Sequence, residues 1–189
     1  IKKEIYHDNE FKYITNTPIP GHRRLYRHIL EAIRDSKKYI YITTPYFVPT
    51  HRLARTLKSA ASRGVDVKIM IPEWSDHPIV DLASRTFFHQ ILSSGAKIFL
   101  HKGKMLHSKT ILIDGNWASI GTMNMDNMSL LYNFEANLIT DNKRLSEELF
   151  SHFIRDMRNS EEITLEKWNN RYWVEKFSGF FIRLIRDFL

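Results

Sequence analysis

The feature that most constrains the fold is the alternation of helix-like and strand-like segments between residues 22 and 100. Apolar side chains recur at helical spacing in three segments, and β-branched and aromatic residues dominate the short runs between them. The helix-like segments cover residues 25–33, 53–63 and 79–94, and the strand-like runs cover residues 39–43, 65–71 and 96–100. Gly64 and Gly95 follow two of the helix-like segments, where glycine commonly ends a helix. Repeated strand–helix units predict parallel strands with helices packed against the sheet.

The pattern changes after residue 100. Further strand-like runs cover residues 109–113, 117–120 and 133–140, and an amphipathic helical period covers residues 145–157. The dipeptide Asp114-Gly115 separates the first two of these runs and is a strong hairpin signal. We therefore predict an α/β fold with a mixed, largely parallel β-sheet and helices on both faces. Residues before Gly21 are polar and are predicted to be irregular, and residues 1–159 are predicted to form one domain.

The segment 160–189 differs in character and is predicted to be an amphipathic aromatic and basic tail. Its large apolar residues fall on one helical face: Trp173, Phe177, Phe180, Phe181, Leu184 and Phe188. Two interpretations stay open. The face packs against the domain or a neighbouring domain, as most amphipathic helices do, or it lies in a membrane interface, where aromatic and cationic residues meet lipid headgroups.

Composition limits the possible partners. The 189 residues include 28 Lys+Arg against 21 Asp+Glu, a net charge of +7 that favours nucleic acid or an anionic lipid surface. The absence of cysteine excludes disulfides and thiolate metal sites. No apolar run is long enough to cross a bilayer, so any transmembrane anchor would lie outside this chain. Because the sequence opens with Ile1, we expect it to be part of a longer polypeptide.

The residues best suited to chemistry are His107 and Lys109. Two positions apart at the start of a predicted strand, their side chains would project from the same face. A ring nitrogen of His107 could attack phosphorus, while the Lys109 ammonium neutralises charge developing on the phosphate oxygens.

Four other residues are predicted to complete this site. Across the hairpin, Gly121 permits close backbone approach, and the Thr122 hydroxyl and the Asn124 amide could donate hydrogen bonds to the same phosphate. Glu135, in the next strand, could hold the imidazole through its other nitrogen. A further candidate, Tyr46, follows a parallel strand, where open α/β sheets place ligand-binding groups.

The spacing His107-x-Lys109-x4-Asp114, followed by Gly121-Thr122-x-Asn124, resembles the HKD signature of the phospholipase D superfamily. Four longer runs resemble the C-terminal catalytic half of bacterial cardiolipin synthases. They are Thr43-Thr44-Pro45-Tyr46-Phe47-Val48-Pro49, Arg63-Gly64-Val65-Asp66-Val67, Met105-Leu106-His107-Ser108-Lys109, and Asn124-Met125-Asp126 together with Asn133-Phe134-Glu135. The similarity extends from about residue 39 to residue 140, and residues 1–159 would then be a phospholipase D-like catalytic domain with one HKD motif.

The resemblance implies specific roles. His107 would form a phosphohistidine, Lys109 and Asn124 would bind phosphate oxygens with help from Thr122, and Glu135 would orient His107. The family's aspartate, Asp114, would support the turn and the charge balance of the motif. No metal and no cofactor would be required, because histidine and lysine supply the positive charge.

The implied function is that of a cardiolipin synthase-like phosphatidyltransferase at the bacterial cell membrane. It would move a phosphatidyl group between phosphatidylglycerol molecules and release glycerol. The chemistry needs a second histidine as acid and base, supplied by a missing N-terminal HKD half or by a symmetry-related subunit. The alternative is a homodimeric, single-motif phosphodiesterase or nuclease acting on nucleic acid or phospholipid.

Overall fold

A computed structural model describes residues 7–8, 10–103 and 106–170. The strands are β1 (His7–Asp8), β2 (Phe11–Asn16), β3 (Tyr39–Thr43), β4 (Phe47–Val48), β5 (Asp66–Pro72), β6 (Lys97–His101), β7 (Thr110–Ile113), β8 (Trp117–Gly121), β9 (Met125–Asp126), β10 (Glu135–Thr140) and β11 (Ser160–Ile163). The helices are α1 (Arg24–Asp35), α2 (His51–Ser62), α3 (Pro78–Leu92), a π-helical turn (Met128–Tyr132), α4 (Lys143–Arg158) and α5 (Leu165–Asn169).

A nine-stranded sheet in the order β1-β2-β10-β8-β7-β3-β5-β6-β11 forms the centre of the described chain. Strand β3 is parallel to β5, and β5 is parallel to β6. The other pairings of this sheet are antiparallel. Strands β4 and β9 form a separate parallel pair beside one end of the sheet.

Helices cover both faces of the sheet, and strand β3 shows how the sequence produces this arrangement. Successive side chains of a strand point to opposite faces. Ile40 and Ile42 accordingly pack into a large core with α1, α2, α3 and α5. Tyr41 points the other way and stacks on Phe153 of α4, with ring centroids 4.7 Å apart, in a smaller second core.

The predicted mixed α/β architecture with helices on both faces is confirmed. The parallel part is smaller than predicted, because only the successive strand–helix units of β3, β5 and β6 give parallel neighbours, and the hairpin β7–β8 inserts antiparallel to β3. The prediction of an irregular N-terminus is wrong for residues 11–16. These residues form β2, which pairs antiparallel with β10 along its whole length.

The first part of the predicted tail packs with the domain. Residues 160–163 form β11, which pairs antiparallel with β6 at the edge of the sheet. Trp168 of α5 is only 8% exposed and packs on Phe88 of α3, with ring centroids 4.9 Å apart. The predicted helical face from Trp173 to Phe188 lies outside the described residues. In the part of the chain that is described, no helix combines the length and apolarity needed to cross a membrane.

Candidate active site

The predicted site residues lie where several strands end at one edge of the sheet. Thr43, the last residue of β3, faces Thr110, the first residue of β7. Next to them, the final residue of β8, Gly121, donates its backbone N–H to the carbonyl oxygen of Lys109 (3.2 Å). Strand β10 begins at Glu135 beside the end of β8. We call this side of the sheet the active edge.

His107 and Lys109 lie on the extended segment that leads into β7. The His107 side chain is exposed, whereas Lys109 is half-buried. The Lys109 Nζ donates a hydrogen bond to the carbonyl oxygen of His107 (2.9 Å). Burial lowers the pKa of Lys109, and the nearby carboxylates of Glu135, Asp126 and Asp76 oppose this effect. The ammonium is therefore held against the backbone of His107 in a negatively charged setting.

A hydrogen bond joins the side chains of Glu135 and Thr122 at the active edge. Glu135 is 8% exposed, and its carboxylate accepts a hydrogen bond from the Thr122 hydroxyl. The same hydroxyl oxygen accepts the backbone N–H of Ala136 (3.0 Å). No hydrogen bond joins Glu135 to His107 among the described residues. The predicted contact between this carboxylate and the imidazole therefore stays a prediction, since catalytic hydrogen bonds often form only with substrate bound.

Gly121 contributes through its lack of a side chain. A Cβ atom at this position would lie 2.2 Å from the carbonyl oxygen of Ala136 and 2.6 Å from the Cα of Asn137. The close approach is thus between strands β8 and β10, which brings Thr122 to Glu135. Direct contact of Gly121 with a phosphate stays a prediction.

Asn124 follows β8 and is half-buried. Its side-chain Oδ1 is buried and has no hydrogen-bond partner in the described protein. Buried amide groups are nearly always hydrogen-bonded in native proteins. The Asn124 carbonyl oxygen can therefore accept a hydrogen bond from a bound molecule, whereas the predicted role uses the Asn124 NH₂ group as a donor to phosphate, so that role stays a prediction.

The structure does not bring Asp114 to this group. Asp114 lies at the far end of β7, roughly 20 Å along the chain from His107 at about 3.3 Å per extended residue. Its carboxylate accepts hydrogen bonds from the backbone N–H groups of Lys37, Lys38 and Tyr39 at 2.7, 2.8 and 2.9 Å. Its φ of 56° places it in the left-handed region of the hairpin turn. Asp114 therefore joins the turn to the start of β3, which is the support of the turn that the family resemblance implied, and any part in the chemistry stays a prediction.

Asp114→Ala should lower the free energy of unfolding by about 1–3 kcal/mol, because three backbone donors lose their charged acceptor. Asp114→Asn should lower it less, since asparagine keeps one acceptor oxygen and tolerates positive φ. Urea denaturation of both variants measures this order. Phosphodiester turnover per folded molecule should stay at the level of the unaltered protein. A selective loss of turnover in fully folded Asp114→Asn would instead place Asp114 in the chemistry.

Tyr46 is linked to the active edge through Asp76, which lies in the loop after β5. The Tyr46 hydroxyl donates to Asp76 Oδ1 (2.6 Å), and its ring meets the His77 ring edge-on at 5.4 Å. This hydrogen bond holds the pKa of Asp76 below its ordinary value, and His77 and His107 act in the same direction. Burial, followed by Asp76, raises the pKa of Tyr46. Asp76 is thus a link between Tyr46 and the surroundings of His107.

Asp126 is a site residue that the sequence did not reveal. It is 5% exposed, and its Oδ1 accepts the backbone N–H of Ser129 (2.7 Å) at the start of the π-helical turn. Burial raises its pKa to about 6; the hydrogen bond from Ser129 opposes the rise and Glu135 adds to it. The only available signal was the run Asn124-Met125-Asp126, which gives no indication of burial.

The Asp126 carboxyl should make stability depend on pH. It ionises near 3.8 when unfolded and at about 6 in the folded protein, so the folded state binds more protons between these values. Its contribution to the free energy of unfolding is complete below the unfolded pKa and is lost as pH rises through the folded pKa. The difference corresponds to at most about 3 kcal/mol. Urea denaturation between pH 4 and pH 8 should give a flatter profile for Asp126→Asn, and identical profiles would contradict the buried, ionising carboxyl.

The active edge brings a histidine, a lysine and hydrogen-bonding side chains onto adjoining segments. Among residues 7–8, 10–103 and 106–170, no cluster of three or more His, Asp or Glu side chains could hold a metal ion. The His107 side chain is exposed, Lys109 contacts its backbone, and Thr122 and Asn124 follow β8, whose last residue bonds to Lys109. This arrangement suits nucleophilic attack on a phosphodiester.

Comparison with known sequences agrees with the geometry. A family model described as "Cardiolipin synthase, PLD-like domain" matches residues 29–157. A cardiolipin synthase of Clostridium perfringens is 34% identical over 172 residues, which are 91% of this chain and 36% of that protein. Cardiolipin synthase A of Wigglesworthia glossinidia brevipalpis is 36% identical over 184 residues, 94% of this chain and 37% of that protein. The chain thus spans about a third of the length of these relatives.

Solved structures share the fold. A phospholipase D family member, Nuc from Salmonella typhimurium, superposes with a TM-score of 0.69 at 24% identity, over 82% of this chain and 99% of that one. The phosphatidylserine synthase of Haemophilus influenzae superposes with a TM-score of 0.73 at 16% identity, over 95% of this chain and 47% of that one. The family match over residues 29–157, together with these sequence relatives, shows that the chain belongs to the cardiolipin synthase, phospholipase D-like domain family.

Proposed function

We propose that this domain supplies one half of the active site of a phosphatidyltransferase that acts on phosphatidylglycerol at the bacterial cell membrane. The observation that carries the proposal is the position of exposed His107 beside Lys109, Asn124 and the Thr122–Glu135 pair on one edge of the sheet. The sequence relatives named cardiolipin synthase support the phospholipid as substrate.

In the proposed first step, a nitrogen of His107 attacks phosphorus, and the bond from phosphorus to the glycerol headgroup breaks. The departing oxygen takes a proton from an acid on the opposing half, which leaves a phosphohistidine. In the second step, the deprotonated group of the opposing half acts as a base and removes a proton from the hydroxyl of a second phosphatidylglycerol. The oxygen of that hydroxyl attacks phosphorus, and the bond from phosphorus to His107 breaks. Lys109 and Asn124 bind the phosphate oxygens in both steps, and Glu135 orients the imidazole once substrate is bound.

The charges at the active edge support the need for an opposing half. Lys109 is surrounded by the carboxylates of Asp76, Asp126 and Glu135. One ammonium among three carboxylates is a poor receptor for an anionic phosphodiester. An opposing half with its own histidine and lysine would correct this balance and provide the acid. It would come from another part of a longer polypeptide or from a second copy across a twofold axis.

The experiment compares two substrates on the intact protein. We expect conversion of phosphatidylglycerol vesicles to cardiolipin with release of glycerol, followed by thin-layer chromatography and a glycerol assay. Single-stranded DNA should remain uncut under the same conditions. Cleavage of DNA without any lipid turnover would replace the transferase with the homodimeric phosphodiesterase or nuclease.

A further inference from the structure

A strongly basic surface lies where helices α1 and α2 begin. The residues that form it, called here the arginine surface, are Arg23, Arg24, Arg27, Arg52 and Arg55. Helix α2 contains no acidic residue, and the two carboxylates of α1, Glu31 and Asp35, fall in its second half. The first two turns of both helices therefore present positive charge alone.

The starts of the two helices are joined directly. The Tyr26 hydroxyl of α1 lies 2.5 Å from Thr50 Oγ1, which also accepts the backbone N–H of Leu53 and caps α2. Burial raises the pKa of Tyr26, and the hydrogen bond with Thr50 and then the charges of Arg52 and Arg23 oppose this rise. The contact between Tyr26 and Thr50 thus brings together the starts of α1 and α2, which carry the arginine surface.

This patch adjoins the active edge. Strand β2 ends at Asn16, which faces Glu135 in the sheet, and the chain then turns through residues 17–21 into α1. The tip of this turn is Ile19, which is 53% exposed. Arg27 Nη2 donates to the carbonyl oxygen of Gly21 in the same turn (3.4 Å). An exposed aliphatic side chain, five arginines and the catalytic groups therefore share one side of the domain.

The charge of the arginine surface is not neutralised within the described chain. No ion pair joins its arginines to a carboxylate among the described residues, and cations at a helix N-terminus oppose the helix dipole. Helix α4, on the other face of the sheet, differs. Its basic residues alternate with Glu147, Glu148 and Asp156, and Arg144 pairs with Glu148. The arginine surface is thus kept at a cost to helix stability, as expected of a binding surface.

We propose that the arginine surface and Ile19 dock the domain on an anionic phospholipid bilayer, with the active edge toward the lipid. The inference rests on the proposed function, because a lipid substrate must enter from that side. Arginine attracts anionic headgroups, and an exposed aliphatic tip gains by entering the acyl boundary. Ile19 favours lipid over nucleic acid, because a phosphate backbone offers an aliphatic tip nothing to enter.

The test is sedimentation of the intact protein with vesicles of phosphatidylglycerol in phosphatidylcholine. The variant Arg27→Gln/Arg52→Gln/Arg55→Gln removes three exposed charges and should bind roughly 100-fold more weakly. The matched control Lys143→Gln/Arg144→Gln/Arg155→Gln removes three exposed charges from α4 and should bind as the unaltered protein does. Equal loss in both variants would show that net charge alone acts, and would overturn the proposal.

Two further arms complete the design. Ile19→Ser should weaken vesicle binding about 5- to 10-fold, since one partly exposed aliphatic side chain no longer enters the lipid. Binding of the unaltered protein to duplex DNA but not to these vesicles would overturn the proposal in favour of nucleic acid.

Short-chain phosphatidylglycerol below its micelle concentration separates docking from chemistry. The triple variant on α1 and α2 should turn over this dispersed lipid normally. If the unaltered protein binds vesicles through the arginine surface but turns over no lipid in either form, the proposed function fails and the docking surface stands.

Discussion

His107→Asn should reduce phosphatidyl transfer by about 10⁴- to 10⁶-fold, as removal of a catalytic nucleophile does in other enzymes. The side chain is exposed, so the substitution should change stability by no more than about 0.5 kcal/mol. The loss would then reflect chemistry rather than unfolding. A phosphoenzyme trapped by rapid quenching and detected by intact mass should be present in the unaltered protein and absent from the variant.

The matched control is His152→Asn, the same change at an exposed histidine of α4 on the other face of the sheet. Turnover and phosphoenzyme should both persist in this control. Substantial turnover in His107→Asn would refute the assignment of the nucleophile and would direct attention to His77, whose ring contacts Tyr46.

Gly121→Ala should lower the free energy of unfolding by about 3 kcal/mol, because the added methyl group collides with backbone atoms of β10. A backbone carbonyl cannot rotate away as a side chain can, so β8 and β10 must separate. The midpoint of thermal unfolding should fall by roughly 6–12 °C in a domain of this size. Turnover per folded molecule should also fall, since the Thr122–Glu135 contact spans the same two strands.

Gly95→Ala provides the comparison. Gly95 has a φ of +89° and no atom within 4 Å of an added Cβ, so alanine there should cost about 1–2 kcal/mol for the left-handed backbone alone. Gly121 does not have positive φ, so the free energy of unfolding lost in Gly121→Ala should come entirely from contact of the added methyl group with β10. Equal destabilisation by the two substitutions would contradict this explanation.

Local periodicity was sufficient to predict the helices and the strands of the sheet centre, because their apolar residues repeat with clear spacing. Strand β2 escaped prediction because its inward positions are Ile14 and the polar Asn16, which leaves little amphipathic contrast. Its partner β10 lies more than 100 residues away in the chain. The extent of antiparallel pairing could not be predicted for a related reason. A hairpin sequence predicts that two strands pair with each other, but it does not specify which third strand lies beside them.

The candidate site likewise contains some residues that sequence spacing predicts and others that it does not. His107, Lys109, Thr122, Asn124 and Glu135 follow a fixed spacing, and the sheet register brings their segments together at the active edge. Asp114 shares that spacing but serves the opposite end of β7, since seven extended residues cannot return to the same edge. Asp126 and the link from Tyr46 to Asp76 depend on tertiary contacts between loops, and no local pattern encodes these.

The outermost strands determine where the chain can be truncated without causing aggregation. Among the described residues both edge strands are short: β1 has two residues, and β11 has four, two of them glutamates. Such edges resist pairing with other molecules. A fragment ending at residue 157, where the family match ends, would lack β11 and expose unpaired backbone N–H and C=O groups along the edge of β6. We expect that fragment to aggregate, whereas one extended to Asn170 should remain monodisperse.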